Sequence, residues 1–162
     1  MASQSECPLQ VPQLYLLHSD GSDSRLLDKG DVTEASAVNP PGSFVAEARF
    51  SPDSRRIAWT KTRSVKEDDG RTRLVQSDVY VVDVEGGQVN RLLESKEKFF
   101  IGQVLWSPDS KYLAASYIEI DELKAFSDRT RYIEIVKADG QHTPVGRLPL
   151  PMPPVAMLID WR

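Results

Sequence analysis

The stretch ARFSPDSRRIAW at residues 48–59 returns as VLWSPDSKYLAA at residues 104–115. Both copies contain an aromatic residue, the sequence Ser-Pro-Asp-Ser, a basic residue and an alternating apolar run. Proline sets φ for the second position of a type I turn, and Asp and Ser side chains bond to nearby backbone groups. Each copy therefore predicts a strand, a tight turn and a second strand. The predicted turn residues are Ser51, Pro52, Asp53, Ser107, Pro108 and Asp109.

The residues that flank the first copy favour a sheet. Val45, Phe50, Ile57 and Trp59 are β-branched or aromatic, and such side chains pack well on a pleated, half-buried surface. We therefore expect all four to pack against neighbouring residues.

A second hairpin pattern alternates with the first. The run LYLL at residues 14–17 precedes an Asp-Gly pair, and VYVVDV at residues 79–84 precedes a Glu-Gly pair. The run YIEIVKA at residues 132–138 precedes another Asp-Gly pair. Glycine tolerates the positive φ values that such hairpin turns require. The predicted turn glycines are Gly21, Gly86 and Gly140.

Together the two hairpins make a unit of four strands. The two Ser-Pro-Asp turns are 56 residues apart (107 − 51), and four-stranded repeats of about this length are typical of β-propeller blades. The predicted fold class is all-β, with antiparallel four-stranded blades in an incomplete propeller of about two and a half to three blades. We predict a lead-in over residues 1–12 and a partial propeller over residues 13–162. Within the latter, the third and fourth strands of one blade occupy 13–28, full blades occupy 45–94 and 101–148, and the first strand of a next blade occupies 155–162.

The repeats also carry a family resemblance. FSPD at 50–53, WSPD at 106–109 and VYVVD at 79–83 resemble the Pro-Asp, WD-like propeller repeat of the TolB type. Similar blades form the propeller of prolyl-oligopeptidase-type serine peptidases. The resemblance covers about residues 13–162 and implies a propeller fold; in the peptidases it implies a propeller that controls access to a separate hydrolase domain. The sequence departs from the family pattern at Ser54 and Ser110, where glycine is common.

The composition and charge of the chain argue against some classes of function. The chain has 162 residues, of which 40% are hydrophobic and 27% charged, as in an ordinary globular domain. A net charge of −4 argues against nucleic-acid binding, which usually requires a basic surface. No apolar run reaches the roughly 18 residues of a membrane span, and the start shows no secretory signal. We expect no membrane association and a cytoplasmic protein; a periplasmic, TolB-like role would require an export signal.

Catalytic and cofactor signals are weak. Serine hydrolysis requires a nucleophile, a histidine and a carboxylate, but the sequence has no Gly-x-Ser-x-Gly and only His18 and His142. The single Cys7 excludes an internal disulfide and a multi-cysteine metal site. The acidic runs near residues 20–23 and 67–70 lack the spacing of a calcium loop. We therefore predict no catalytic residues, no metal and no cofactor.

Recognition is predicted on one face of the propeller. The short turns above lie on one face, whereas the connections at 28–44, 61–77, 94–100, 119–131 and 147–154 are long and lie on the other. Extended loops on a rigid scaffold commonly carry binding residues. Three alternatives remain: a solvated hairpin tip around 67–70, packing of the Phe-Phe pair between blades, and a blade linker in the proline-rich 147–154. The candidate binding residues are Arg63, Arg71, Arg73, Phe99, Phe100 and Arg129.

The sequence leaves two functions open. The first is a non-catalytic interaction module that binds a protein partner through its long-loop face or its open edges, or that self-associates to complete the propeller. The second is the propeller segment of a larger prolyl-oligopeptidase-type peptidase, whose catalytic domain is not in this chain.

Overall fold

The computed structural model describes residues 12–32, 41–95, 98–120, 129–139 and 144–149. The secondary structure of these residues is entirely β, and no helix among them is long and apolar enough to span a bilayer. The predicted lead-in, apart from its last residue, and the predicted strand at 155–162 lie outside the described residues. The strands are β1 (Gln13–Leu17), β2 (Ser24–Lys29), β3 (Asp31–Val32), β4 (Gly42–Phe50), β5 (Arg56–Lys66), β6 (Thr72–Asp83), β7 (Asn90–Glu94), β8 (Phe99–Trp106), β9 (Tyr112–Glu119), β10 (Arg131–Lys137) and β11 (Pro144–Pro149).

The strands form three antiparallel sheets. The first sheet pairs β1 with β2, the second has the order β3-β4-β5-β6-β7, and the third has the order β8-β9-β10-β11. In the second and third sheets each strand pairs with the next one in the chain, which is the meander of a propeller blade. The prediction of an all-β chain with antiparallel four-stranded sheets is confirmed; β3 adds a two-residue fifth strand at one edge.

The second and third sheets carry the same irregularity. The pairing of β4 with β5 shifts between Ala46 and Arg49, and the pairing of β8 with β9 shifts between Ile101 and Val104. An extra residue at such a bulge increases the local twist of the strand. The repeat therefore preserves the shape of the strand as well as its turn.

The core lies between the sheets. One buried cluster joins apolar residues of β5, β6 and β7 to residues of β8, β9 and β10, and includes Val79, Ile101 and Leu113, each fully buried. A second cluster lies on the opposite side of the second sheet, where Ile57 and Trp59 contact Leu14, Leu16 and other apolar residues. Both faces of the second sheet are thus covered there, which explains why consecutive residues are apolar at 57–59 in β5 and at 79–82 in β6.

Two expectations need correction. Trp59 is fully buried and Ile57 is 4% exposed, but Phe50 is 55% exposed. The predicted long connection at 61–77 is mostly strand, because β5 continues to Lys66 and β6 begins at Thr72, with the two strands paired throughout. The alternative of a hairpin tip around 67–70 agrees with this pairing, which fixes the charged residues in a projecting hairpin.

Candidate functional site

The first Ser-Pro-Asp turn is closed by its own side chains. The Ser51 hydroxyl donates to Asp53 Oδ1 at 2.6 Å and accepts from the Arg56 backbone N–H at 3.0 Å. Asp53 Oδ1 also accepts from the Arg55 backbone N–H at 3.1 Å. The Ser54 N–H donates to the Ser51 carbonyl at 2.8 Å. Each polar residue in the motif therefore has a defined role in reversing the chain.

The second turn reproduces these bonds. Ser107 Oγ donates to Asp109 Oδ1 at 2.6 Å and accepts from the Tyr112 N–H at 2.9 Å, and the Lys111 N–H donates to Asp109 Oδ1 at 3.1 Å. These bonds hold the pKa of Asp109, and likewise of Asp53, below the usual range, with the serine hydroxyl as the largest cause. The geometry is a property of the repeated sequence.

The departure from glycine at the fourth turn position has a conformational consequence. Ser54 has φ of 59° and Ser110 has φ of 61°, both in the left-handed region that glycine adopts most easily. Ser110 is 2% exposed, and its hydroxyl accepts a bond from the Asp53 N–H at 3.1 Å. Serine at position 110 therefore has an unfavourable backbone conformation, and its side chain forms a hydrogen bond between the second and third sheets.

This bond belongs to a larger contact between the second and third sheets. The Arg56 guanidinium donates to the backbone carbonyls of Ser110 and Ala138 and lies over the Trp106 ring, 4.9 Å from its centroid. The Trp106 indole N–H donates in return to the Arg49 carbonyl at 3.1 Å. One arginine and one tryptophan thus join neighbouring sheets at the end that carries the turns.

The first sheet is held by a different residue. Asp28 accepts from the Trp59 indole N–H at 2.9 Å through Oδ2 and pairs with Lys61 Nζ at 2.6 Å through Oδ1. Sequence reasoning missed Asp28 because its partners lie more than 30 residues away. A buried tryptophan requires a partner for its N–H, so Trp59 was the one available signal.

The projecting hairpin of β5 and β6 carries three of the predicted binding residues. At its tip, Arg71 pairs with Asp69 at 2.7 Å and Arg73 pairs with Glu67 at 2.5 Å. Arg63 lies nearer the base and is exposed, beside a shallow depression of about 400 Å³ that Asp31, Ser64 and Lys66 also line. The hairpin therefore gathers Arg63, Arg71 and Arg73, with the last two in local ion pairs.

The remaining predicted binding residues lie elsewhere. Phe99 packs against the core cluster, and its ring makes a T-shaped contact with Tyr132 at a centroid distance of 5.2 Å. Phe100 is half-buried and pairs across the sheet with Ile118. Arg129 is half-buried just before β10. The two phenylalanines are thus integrated into the third sheet rather than projecting from it.

The glycine turns also have positions in the structure. Gly21 has φ of 79°, and its N–H donates to the His18 carbonyl at 2.9 Å. Gly86 has φ of 124°, and its N–H donates to the Asp83 carbonyl at 3.1 Å. Gly140 lies outside the described residues.

The second and third sheets each contain a buried ionisable group with a raised pKa. Burial raises the pKa of Asp78, although its carboxylate accepts from the Ser95 N–H and pairs with Arg91 at 3.5 Å. Burial also raises the pKa of the Tyr117 hydroxyl, whose ring stacks on Tyr132 at 4.7 Å. Among the described residues, no group of His, Cys, Asp and Glu has a metal-binding arrangement. Burial disfavours the charged forms of Asp78 and Tyr117. Within the described part of the chain, these groups form no hydrolytic triad.

Comparisons with known proteins find partial matches among solved peptidase structures. No family model matches the chain, and no curated protein matches it. The solved acylaminoacyl peptidase of Pyrococcus horikoshii in its orthorhombic crystal form matches 86% of this chain with a TM-score of 0.48 and 18% identity. An acylaminoacyl peptidase in complex with Z-Gly-Gly-Phe-chloromethyl ketone matches 86% with a TM-score of 0.48 and 17% identity. A putative dipeptidyl aminopeptidase IV from Bacteroides ovatus matches 84% with a TM-score of 0.47 and 12% identity.

The matched part is a minor share of each of those proteins. The chain covers 23% of both acylaminoacyl peptidase chains and 28% of the Bacteroides chain. Identities of 12–18% and TM-scores below 0.5 are too low to identify a family. The blade architecture therefore rests on the strand pairing of this chain itself.

Proposed function

We propose that this chain is a non-catalytic propeller segment of a larger serine peptidase of the prolyl-oligopeptidase type. In that setting its blades form part of the wall that controls access to a separate hydrolase domain. The observation that carries the proposal is the pair of consecutive meander sheets, packed face to face and joined turn to turn. The Pro-Asp repeats that build those turns resemble the propellers of these peptidases, and this resemblance supplies the enzyme class.

A propeller wall needs rigidity more than chemistry, and the described side chains fit that role. The polar residues of the turns bond to their own backbone, and the Arg56 guanidinium bonds to backbone carbonyls of the next sheet. Hydrogen bonds of a charged donor are stronger than neutral ones. These residues make their hydrogen bonds within the fold, and none of them forms a pair of nucleophile and base.

The test is to label the endogenous protein with a fluorophosphonate probe, which reacts with activated serines. The endogenous protein is then captured with an antibody against the β5–β6 hairpin. We expect a labelled band well above the 18.2 kDa of this chain, and no labelling of the purified 162-residue chain. Capture of an unlabelled 18.2 kDa species alone would contradict the peptidase assignment.

A second candidate is a module that binds a protein partner through the projecting β5–β6 hairpin, and the exposed Arg63 at its base favours it. A triple substitution of Arg63, Arg71 and Arg73 to Glu is expected to weaken partner capture without changing the unfolding temperature by more than a few degrees. Arg55→Glu, an exposed residue of the first Ser-Pro-Asp turn, is the matched control. Equal capture of the partner by the parent, the triple variant and Arg55→Glu would exclude this surface.

A further inference from the structure

The second sheet has an exposed surface that corresponds to a covered surface of the third sheet. Phe50 and Trp106 occupy the same place 56 residues apart, as do Ser54 and Ser110. Trp106 is 7% exposed, whereas Phe50 is 55% exposed. Ser110 is buried, whereas Ser54 is exposed. The same surface is therefore covered in one repeat and open in the other.

The residues that cover the third sheet come from the β4–β5 hairpin of the second sheet. In its turn, the Asp53 N–H donates to Ser110 Oγ. The Arg56 guanidinium donates to the carbonyls of Ser110 and Ala138 and lies over the Trp106 ring. Val84 corresponds to Ala138, because their N–H groups donate to Arg55 and Lys111, which are themselves 56 residues apart. The structure thus contains a complete example of how a hairpin occupies this surface.

On the second sheet the corresponding place is a cleft. Phe50, Ser54, Val84 and Leu17 line it, with a volume of about 590 Å³. The Val84 carbonyl accepts from Arg25 Nη2 at 3.1 Å. This shows that the carbonyl attracts a guanidinium here too, although Arg25 comes from β2 and leaves Phe50 exposed.

The adjoining strand is open as well. The strands β6 and β10, which precede the glycine turns in the second and third sheets, pair on both sides. β1 holds the same place before Gly21, and within the described residues it pairs only with β2. Leu17 on β1 is 58% exposed, whereas Val82, at the same place on β6, is 3% exposed. An open strand edge with apolar side chains is a template for strand addition.

We propose that this surface receives a β-hairpin from another polypeptide segment. The hairpin carries a Pro-Asp turn with an arginine at the start of its second strand. That strand pairs antiparallel with β1, the turn gives a backbone N–H to Ser54 Oγ, and the arginine lies over the Phe50 ring. A second copy of this chain does not fit. Its one hairpin of this kind, with Arg56, is already engaged on its own third sheet, and the β8–β9 turn has Tyr112 at the arginine position.

The experiment appends such a hairpin to the full chain. A copy of residues 44–62 is fused before Met1 through a flexible linker, since an isolated hairpin is only marginally stable in water. Hydrogen exchange of the Gln13–Leu17 amides is then measured by mass spectrometry. We expect exchange to slow by about tenfold or more relative to the unfused chain. The matched control is the same fusion with Arg56→Ala in the appended copy only.

The outcomes separate clearly. Protection that requires the appended arginine and is weakened by Ser54→Gly in the receiving chain supports the proposal. Unchanged exchange on fusion, or equal protection by the hairpin without arginine, overturns it. Concentration-dependent protection of the unfused chain, together with a dimer in light scattering, also overturns it in favour of a second copy. The proposal does not depend on the peptidase assignment, so failure of the fluorophosphonate test leaves it standing.

Discussion

The backbone N–H of Asp53 donates to the side-chain oxygen of Ser110 at 3.1 Å, so one Ser-Pro-Asp-Ser turn rests on its own copy in the next sheet. The corresponding serine of the first copy, Ser54, has nearly the same φ but an exposed side chain. The two serines therefore share a conformation and differ in what they bond.

Substitution of these serines by glycine separates the two effects. Glycine relieves the left-handed backbone at both positions but removes a hydrogen-bonded hydroxyl only at Ser110. We expect Ser110→Gly to be less stable than Ser54→Gly by about 1 kcal/mol, the usual contribution of one such bond. Urea denaturation of both variants measures this difference. Equal stabilities would mean that the bond contributes nothing.

Trp106 and Phe50 provide a second matched pair. Truncation of the buried Trp106 to Ala is expected to cost about 3–5 kcal/mol, as for large buried aromatic residues. Phe50→Ala is expected to cost about 1 kcal/mol or less, because more than half of that side chain is in solvent. Chemical denaturation compares the two. If Trp106→Ala does not fold, Trp106→Phe removes the indole N–H and part of the buried ring volume while keeping an aromatic side chain, with an expected loss of about 1–3 kcal/mol.

Asp28 is expected to hold the first sheet in place. Asp28→Ala leaves the buried indole N–H of Trp59 without its acceptor, and an unsatisfied buried donor costs about 1–3 kcal/mol. We expect faster hydrogen exchange in β1 and β2 and little change in β8 to β11. Asp23→Asn, which removes an exposed carboxylate in the turn of the same sheet and tolerates its φ of 44°, is the control. Uniform loss of protection in all three sheets would contradict a local role.

The turns should also make stability depend on pH. The pKa values of Asp53 and Asp109 are lowered in the folded state, chiefly by the serine hydroxyls. Their contribution is therefore complete above the unfolded pKa of about 3.9 and is lost as the pH falls through the folded pKa. Asp78 acts in the opposite direction, because burial raises its pKa.

The measurement is urea denaturation at a series of pH values between about 6 and 2. We expect the double variant Asp53→Asn, Asp109→Asn to be less stable at pH 6 and to lose less stability on acidification than the parent. The double variant Asp23→Asn, Asp68→Asn, at two exposed turn positions, serves as the control for the same change in net charge. Parallel pH profiles of parent and double variant would show that the turn carboxylates are not responsible.

The sequence predicts those parts of the fold that depend on local chemistry. The Ser-Pro-Asp turns and the glycine turns at Gly21 and Gly86 are specified by residues within five positions of each other, and their alternation implies the strand order. The exposure of Phe50 could not be predicted in this way. The same kind of residue is buried at position 106, and the difference depends on which sheet packs over it.

The projecting hairpin and the arginine contact show the same limit. The charges around 67–70 predict a solvated hairpin tip, but they do not predict that the paired strands reach as far as Lys66 and Thr72. Arg55 and Arg56 are adjacent basic residues, and the sequence does not show which of them contacts another sheet. In the structure, Arg56 donates to the carbonyl of Ala138, 82 positions away. Contacts of that range depend on how sheets are stacked, which a local pattern does not contain.

The contact between the two turns has an evolutionary consequence. The first repeat has both parts of this contact: Arg56 and a turn N–H that bind the next sheet, and a serine and an aromatic ring of the kind that is bound. The second repeat keeps the serine and the aromatic ring but has Tyr112 at the arginine position. Tandem duplication of the first repeat would therefore lengthen the array without a new interface, because each added copy would bring Arg56 and the surface that it binds. An array continued from the second repeat would need a different forward contact, because Tyr112 cannot donate hydrogen bonds to two backbone carbonyls as a guanidinium does.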